Sequence, residues 1–532
     1  MISNMKSLVL FGVRTLACRL AALVLCGGLS LAWTARAEQV VSPVRVAKTI
    51  RPGGTGFCFN SDFHTYLPLN DDYAVTLVGE PVEVRACRES RIPFNRPWPG
   101  RQRPLDQTER ASYIAFEGEG PVAVTVKPKR KFATAVVRPL SAGVKAAVRD
   151  GIVSFTLPKP GYYVCEVDGT EKALQLFYEA PRDFAEKERA TVSYGPGMHM
   201  AGIVRLKDHD RVYVDRDAIV FGCFMGRGVR DVKIFGHGVI DGRSVERVFE
   251  GCYSELQSSC IRLHHSRDIS VDGPVLLDSP SWVLALFDCD DVDIGHVKIA
   301  GQWRYNTDGI DVCNSRRVAI RDCYVRSFDD TIVIKGVPPY REKPVEDITV
   351  ERCVMWCGWG KTLEPGIETW ASRFRNVRVS DCDLIHSSVA ALNVSAGGTA
   401  VQEDFLYDNI RVELQSDTKR EIMQKTDGQK YDPGDRPHMR PLLLRVSNRH
   451  YAFQGRENVF GHVRNLTVRN LQVFTDGKFG KPGIDVGSCA PEGKSPRPFE
   501  NIVIEGILID GWPATESDLI VTGNSPVTFR NP

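Results

Sequence analysis

The chain has almost no net charge and no N-terminal hydrophobic run long enough to cross a membrane as a helix. Its 68 Lys and Arg residues are offset by 66 Asp and Glu residues, which leaves a formal charge of +2. So small a charge provides no electrostatic attraction to nucleic acid or to an anionic membrane surface. The apolar stretch at residues 20–33 is shorter than the roughly 20 residues of a membrane-spanning helix. We therefore expect no nucleic-acid partner and no membrane association of the mature protein.

The first 37 residues have the pattern of a secretory signal. Positively charged residues precede the apolar stretch, and Ala35-Arg36-Ala37 fits a cleavage site. An uncleaved anchor is the alternative. Residues 1–37 are thus predicted to be a signal peptide, and the mature protein is predicted to be periplasmic or secreted.

The 15 cysteines lack the spacing of a zinc site or of a disulfide framework. Two fall within the leader, which leaves an odd number. Cys323, Cys353 and Cys382 recur at one phase of the repeat described below. Since a buried cysteine behaves as a small hydrophobe, we interpret them as part of an internal ladder. We predict no metal site and no cofactor.

No segment shows a convincing helical pattern, and the 46 Gly and 31 Pro residues favour turns. From residue 231 onward one phrase recurs, in which Asp or Asn precedes apolar, polar and apolar residues, as at Asp231, Asp268 and Asp347. Alternation with period two predicts a strand. Repeats of roughly 23 to 37 residues, each with about three short strands, indicate a solenoid. We therefore predict an all-β chain whose residues 186–532 form a parallel β-helix.

Residues 38–185 lack this period. They contain alternating stretches separated by Gly and Pro turns, such as residues 73–78, 121–126, 151–157 and 162–167. This pattern predicts a separate N-terminal β-sandwich domain. The stretch from about 415 to 460 is too long for one rung. We predict that it forms a loop over one face of the solenoid, either as a binding wall or as a solvated insertion.

Two successive copies of the repeat carry carboxylates at matching places. Asp308 lies in Asn306-Thr307-Asp308-Gly309, and the pair Asp329-Asp330 follows about one repeat later and leads into an apolar strand. Crowded carboxylates repel each other and lose hydration when buried. A fold keeps them where they bind a metal or move protons at a glycosidic bond. Asx turns are the structural alternative, but an adjacent pair before an apolar strand favours catalysis.

These motifs resemble those of a known group of enzymes. Residues 236–242, Gly-His-Gly-Val-Ile-Asp-Gly, resemble the G-x-G-x-I-D-G phrase of polygalacturonase-like proteins. Asn306-Thr307-Asp308 and Asp329-Asp330 are similar to the N-T-D and D-D motifs of glycoside hydrolase family 28. The leading domain looks like that of the family 49 dextranases and isopullulanase. The resemblance covers roughly residues 190–510. It implies a right-handed β-helix and an inverting hydrolase of α-linked polysaccharides or oligosaccharides.

By this resemblance Asp329 is the general acid, and Asp308 with Asp330 hold and deprotonate the attacking water. Close negative charges raise the pKa of one carboxyl, but this argument alone does not assign the acid. The family's G-H-G motif reads Gly358-Trp359-Gly360 here, and the phrase that grips galacturonate has no clear counterpart. The resemblance therefore supports glycosidic hydrolysis more than a particular sugar.

Five further residues are candidates for substrate contacts because the repeat places them near the aspartates: Arg304, Tyr305, Lys335, Trp359 and Glu368. Aromatic faces stack on sugar rings, although packing within the solenoid wall is equally consistent with Tyr305 and Trp359. Lys335 either binds the substrate or neutralises the carboxylates. Arg304 and Glu368 are also consistent with solvated or salt-bridged side chains.

Two other residues complete the set of candidates. Asp311 lies an odd number of positions from Asp308 and is predicted to point elsewhere. His386, one rung further on, is a candidate substitute for the missing histidine.

Two rival functions fit the same residues. A calcium-dependent polysaccharide lyase would use the three aspartates as metal ligands and Lys335 or Arg304 as its base. A non-catalytic carbohydrate-binding β-helix would use the same surface without turnover.

Overall fold

A computed structural model of the chain describes residues 45–46, 69–90, 108–247, 251–418, 440–449 and 460–530. The predicted signal peptide and most of the predicted loop at 415–460 lie outside these residues. The described helices are short 3₁₀ turns at Leu140–Ala142, Ala185–Arg189, Gly242–Ser244, Pro338–Tyr340 and Glu516–Asp518. No helix in this part of the chain is long and apolar enough to span a membrane.

The N-terminal strands form two sheets that face each other. In chain order they are β1 (Arg45–Val46), β2 (Tyr73–Leu77), β3 (Glu80–Val82), β4 (Arg85–Ser90), β5 (Thr108–Glu117), β6 (Val122–Pro128), β7 (Ala135–Arg138), β8 (Ala147–Arg149), β9 (Ile152–Leu157), β10 (Gly161–Val167) and β11 (Leu174–Glu179). One sheet has the order β1-β5-β11-β10-β7, with β4 also paired to β5, and the other has the order β3-β2-β6-β9-β8. Alternate residues of both sheets, such as Val124, Phe155 and Leu176, share one buried core, so this region is a β-sandwich.

The remaining strands form one continuous coil. Its first part contains β12 (Val192–Tyr194), β13 (Gly197–Arg205), β14 (Arg211–Val214), β15 (Ala218–Arg227), β16 (Arg230–Gly236), β17 (Val239–Asp241), β18 (Ile261–His264), β19 (Arg267–Asp272), β20 (Val275–Leu277), β21 (Leu284–Phe287), β22 (Asp290–Gly295) and β23 (Lys298–Ala300). Its middle contains β24 (Ile310–Cys313), β25 (Arg316–Arg321), β26 (Tyr324–Ser327), β27 (Ile332–Gly336), β28 (Val345–Glu351), β29 (Val354–Cys357), β30 (Lys361–Thr369), β31 (Phe374–Ser380), β32 (Asp383–His386) and β33 (Ala390–Ser395). Its last part contains β34 (Val401–Asp408), β35 (Arg411–Leu414), β36 (Leu442–Ser447), β37 (His462–Thr475), β38 (Gly483–Gly487), β39 (Glu500–Ile509), β40 (Trp512–Pro513), β41 (Ile520–Gly523) and β42 (Val527–Arg530).

Through the middle of the coil each strand pairs in parallel with the strand three positions later, as β24 does with β27 and β27 with β30. Three strands therefore make one rung, and the rungs stack into three faces. The first face contains β24, β27 and β30, the second contains β25, β28 and β31, and the third contains β26, β29 and β32. The predicted right-handed parallel β-helix preceded by a β-sandwich is confirmed.

The Asp or Asn that opens each repeat phrase marks a backbone kink on the second face. These residues have positive φ, for example 56° at Asp291, 60° at Asp347 and 57° at Asn465. Asp and Asn enter the left-handed region more readily than other non-glycine residues because their short side chains hydrogen-bond locally. Arg317 is an exception in this column, with a φ of 52°. Its guanidinium bonds to both carboxylate oxygens of Asp291, one rung earlier, at 2.6 and 2.8 Å.

The interior of the coil is a continuous apolar stack. Cys323, Cys353 and Cys382 are fully buried in it as free thiols. The backbone N–H of Cys353 lies 3.4 Å from the Cys382 Sγ. The predicted cysteine ladder is therefore confirmed.

The third face packs against the larger sandwich sheet. Tyr324 of β26 contacts the rings of Tyr162 and Phe177, with centroids 6.2 and 5.1 Å away. Ion pairs also cross this boundary, including Lys298 to Glu179 at 2.8 Å and His386 to Glu166. The sandwich is thus held against the back of the helix by apolar area and by charge.

The positive φ of the residues that open each repeat predicts that the stability of Asn465 variants depends on the backbone preference of the new residue. Asn465 is exposed, and its side chain bonds to Asp404 at 2.9 Å. We expect Asn465→Val to be less stable than Asn465→Gly by about 1–2 kcal/mol, because a β-branched residue resists positive φ and glycine does not. Thermal unfolding monitored by circular dichroism measures the difference. Equal unfolding temperatures for the two variants would contradict the explanation that Asp and Asn recur at this position because they accept a positive φ.

Candidate active site

Asp308 and Asp330 occupy equivalent positions on adjacent rungs. Ile310 of β24 pairs with Ile332 of β27, and the Gly309 N–H donates to the Asp330 carbonyl at 2.9 Å. Asp329 precedes Asp330 on the same turn, and all three aspartates are buried. The structure thus brings the three predicted catalytic carboxylates together on the first face, at the entry to its strands.

Lys335 lies beneath these carboxylates. Its Nζ donates to Asp308 Oδ2 at 2.9 Å and to Asp311 Oδ1 at 2.7 Å, and it lies 3.9 Å from the centre of the Trp282 ring. Of the two roles left open for Lys335, its contacts support neutralisation of the carboxylates. The prediction that Asp311 points elsewhere is wrong, because its fully buried carboxylate shares Lys335 with Asp308.

The pKa values of the neighbouring Asp329 and Asp330 move in opposite directions. Burial raises the pKa of Asp329 well above its ordinary value, and the charges of Asp308 and Asp330 raise it further. Burial also acts to raise the pKa of Asp330, but the ammonium groups of Lys361 and Lys335 and hydrogen bonds to its carboxylate outweigh it, so that the pKa is lowered. Two adjacent carboxyls with pKa values displaced in this way are suited to opposite roles in proton transfer.

The pKa of Asp308 lies between those of Asp329 and Asp330. Burial raises its pKa to about 6, while the Lys335 ammonium acts in the opposite direction. Asp308 is therefore ionised at neutral pH and can accept a proton.

Asp330 is held by the next rung. The Lys361 backbone N–H donates to Asp330 Oδ1 at 2.8 Å, and the Lys361 Nζ lies 3.6 Å from the same atom. Glu364 of the same strand is fully buried, its Oε2 lies 3.3 Å from the Lys361 Nζ, and Asn393 Nδ2 donates to Glu364 Oε1 at 2.6 Å. The sequence analysis missed Glu364 as a site residue. Its only sequence signal is a carboxylate within the first strand after Gly358-Trp359-Gly360.

The second glycine of Gly358-Trp359-Gly360 is required by the space beside the aspartates. A Cβ atom added to Gly360 would lie 2.1 Å from Asp330 Oδ1 and 2.8 Å from Asp329 Oδ1. Only glycine leaves room for the two carboxylates at this point, because real Cβ atoms do not approach other atoms so closely.

Tyr305 and Trp359 lie together beside the aspartates. Their ring centroids are 6.4 Å apart, and Phe328, which directly precedes Asp329, stacks on Trp359 at 5.8 Å. Both predicted platform residues are only half-buried, which leaves part of each ring accessible. The sugar contact predicted for them stays a prediction.

Two further candidates, Arg304 and Glu368, are engaged within the protein. Arg304 is buried, forms an ion pair with Asp278 at 3.1 Å and donates to backbone carbonyls. Of the roles left open for Arg304, these contacts support the salt-bridged side chain, because its charge is paired within the protein. Glu368 is buried and accepts a hydrogen bond from the Tyr253 hydroxyl at 2.9 Å. Its carboxylate is therefore also engaged within the protein.

His386 does not replace the missing histidine, because it pairs with Glu166 of the sandwich and packs on Trp356. Burial lowers its pKa. Within the described ranges, no group of three or more His, Cys, Asp or Glu side chains is arranged to hold a metal ion.

Comparisons with known proteins show what this chain is similar to. Residues 192–430 match the family Glycosyl hydrolases family 28. A polygalacturonase of Chamaecyparis obtusa is 32% identical over 34% of this chain and 36% of its own length. Rhamnogalacturonase B of Aspergillus niger is 27% identical over 28% of this chain and 25% of its own length. The chain therefore spans about a third or less of the length of these relatives.

Among solved structures, Dex49A from Penicillium minioluteum superposes with a TM-score of 0.56 and 14% identity. The match covers 85% of this chain and 91% of Dex49A. At this identity the likeness shows a shared fold. Together with the family match, it confirms the resemblance of this chain to polygalacturonase-like β-helix glycoside hydrolases.

Proposed function

We propose that this chain is a glycoside hydrolase that cleaves α-glycosidic bonds of a polysaccharide or oligosaccharide with inversion. The observation that carries the proposal is the buried group of Asp308, Asp329 and Asp330 on adjacent rungs, which Lys335 and Lys361 neutralise. The opposite displacement of the pKa values of Asp329 and Asp330 supports it. Hydrolysis needs one protonated carboxyl on the leaving-group side and one carboxylate on the water side.

In this mechanism Asp329 is the general acid. Its raised pKa keeps a proton on the carboxyl near neutral pH, and this proton passes to the glycosidic oxygen as the bond to the sugar breaks. Asp308 and Asp330 hold the attacking water, and a carboxylate of this pair accepts its proton. Lys335 and Lys361 stabilise the two ionised carboxylates during the reaction.

Lys335 also bears on the choice between hydrolase and lyase. A lyase base must accept the proton that it removes. Burial acts to lower the pKa of Lys335, but Asp308 and Asp311 raise it well above its ordinary value. Arg304, the other candidate base, is engaged by Asp278. Both groups are therefore poor bases, which favours hydrolysis.

The first prediction concerns the acid. We expect wild-type protein to release reducing ends from at least one member of a panel of plant, algal and microbial polysaccharides, and Asp329→Asn to lower kcat by about 10²–10⁴-fold. The matched control is Asp293→Asn, which changes a half-exposed aspartate on the second face that pairs with Arg321. Both variants are to be checked for native circular dichroism.

Three outcomes would sink the proposal. If neither wild type nor Asp329→Asn releases reducing ends from any polysaccharide of the panel, binding without turnover is supported. Activity that a chelator abolishes, with an unsaturated product, would support the lyase. Retention of the anomeric configuration, seen by NMR on an active substrate, would refute the assigned roles of the aspartates.

The second prediction concerns pH. Asp308 acts as a carboxylate, so kcat/KM should fall as the pH drops below about 6, where Asp308 gains a proton. Asp329 acts as an acid, so the rate should fall again at higher pH, where it loses its proton. Initial rates between about pH 4 and 9 should therefore describe a bell. A rate that remains at its maximum well below pH 6 would exclude Asp308 as the base.

A further inference from the structure

A cleft lies between the sandwich and the β-helix on the side of the active site. It has a volume of about 370 Å³, which is within the range of roughly 300–1,000 Å³ that sites for small molecules occupy. Its sandwich wall includes Glu109, Asp168 and Thr170, and its β-helix wall includes Phe328 and Ser388. The mechanism above uses none of these five residues.

The β-helix wall of this cleft belongs to the same turn as the proposed general acid. Phe328 directly precedes Asp329 and stacks on Trp359, with ring centroids 5.8 Å apart. Ser327, which also lines the cleft, donates from its Oγ to the Asp329 backbone carbonyl at 2.6 Å. A glycan whose scissile bond lies at Asp329 therefore has this cleft directly beside it.

The cleft also contains a buried hydroxyl that the protein leaves unpaired. Ser388 is 3% exposed, and its Oγ has no hydrogen-bond partner among the residues that the structure describes. A buried hydroxyl without a partner is unfavourable. A serine hydroxyl can both donate and accept, so it is suited to a ligand that brings hydroxyl groups of its own, as a sugar does.

The charges of the cleft decide which sugars fit. On the β-helix wall, the Arg326 guanidinium pairs with Glu89, and its central carbon lies 3.6 Å from the centre of the Trp356 ring. On the sandwich wall, Asp168 and Glu109 add carboxyl groups, and burial together with the charge of Glu89 raises the pKa of Glu109 to about 7. A carboxylated sugar would therefore meet like charge here, whereas the hydroxyls of an uncharged sugar can donate to these carboxylates.

We propose that this cleft is a subsite for uncharged sugar units of the glycan that the active site cleaves. The inference rests on the proposed function, in which the substrate is a polysaccharide or oligosaccharide. Ser388 hydrogen-bonds to a sugar hydroxyl, and the carboxyl groups of the sandwich wall accept hydrogen bonds from others. The sandwich thus forms one wall of the substrate site, and a neutral glycan is preferred to a polyuronate.

The first test measures binding and needs no turnover. Thr170 is exposed and lines the cleft, so Thr170→Trp places a bulky ring in it. The matched control is Thr156→Trp, which changes an exposed residue of β9 in the smaller sandwich sheet. In affinity electrophoresis against the same panel of polysaccharides, we expect at least one uncharged polysaccharide to retard wild type and Thr156→Trp. For Thr170→Trp the apparent Kd should be higher by about tenfold or more, because the ring clashes with the sugar.

The second test measures kinetics on the uncharged polysaccharide that wild type hydrolyses. Ser388→Ala removes the unpaired hydroxyl, and we expect KM to rise by about 2–10-fold while kcat stays within about twofold. A loss of binding that leaves kcat unchanged is typical of a subsite contact and not of damage to the catalytic aspartates. Ser154→Ala, which changes an exposed serine of β9, should leave both constants unchanged. All four variants are to be checked for native circular dichroism.

The outcomes separate this inference from the proposed function. If an uncharged polysaccharide retards wild type more than Thr170→Trp but no polysaccharide is hydrolysed, the hydrolase proposal fails and the subsite stands. If wild type binds or hydrolyses polyuronates alone, the inference is overturned and hydrolysis stands. Equal retardation of Thr170→Trp and wild type, or an unchanged KM in Ser388→Ala, overturns it as well. So does the absence of retardation by every uncharged polysaccharide.

Discussion

Parallel stacking of rungs is the constraint on which the rest of this structure depends. Strands of successive rungs lie about 4.8 Å apart, so each side chain lies beside its counterpart in the next rung. On the inside this makes continuous ladders of Val, Ile and Cys. On the first face it brings Asp308 beside Asp330, and such proximity must be offset by positive charge. Lys335 of β27 supplies that charge to Asp308, and Lys361 of β30 supplies it to Asp330, in each case from the next rung.

The same stacking creates asymmetry between the aspartates. Asp308 shares Lys335 with Asp311, and Asp330 lies against the backbone N–H and the side chain of Lys361. At Asp329, burial and the charges of Asp308 and Asp330 raise the pKa and outweigh the opposing charges of Lys361 and Lys335. Small differences in donors around three similar side chains are thus sufficient to separate an acid from its partners.

The sandwich contributes carboxylates to its interface with the third face of the β-helix. Glu166 and Glu179 engage His386 and Lys298 of the helix. Charges that would be exposed on the third face of an isolated helix are therefore paired inside the protein. This explains why His386 is unavailable to the site even though it lies one rung beyond the Trp359 turn.

Much of the fold was predictable because its causes are local. The Asp and Asn of the repeat reflect the positive φ of each kink, the period of alternation reflects strand geometry, and the cysteine phase reflects the interior. The register followed from the repeat, and with it the approach of Asp308 to Asp329-Asp330. The engagement of Arg304 by Asp278 was not predictable, because Asp278 lies one rung earlier in a different turn. Glu364 was missed for a related reason: nothing in its local sequence shows that it shares Lys361 with Asp330.

The sequence by itself determined the architecture, the rung on which the aspartates meet and the kind of chemistry that they suggest, since all of these follow from a periodic pattern. The tertiary structure alone decided which charges pair. It assigned Lys335 to Asp308 and Asp311, Lys361 to Asp330 and Glu364, and His386 to the sandwich. The physical reason is that a pKa depends on burial and on neighbours brought together from distant parts of the chain, and a repeat pattern specifies positions but not the directions of side chains.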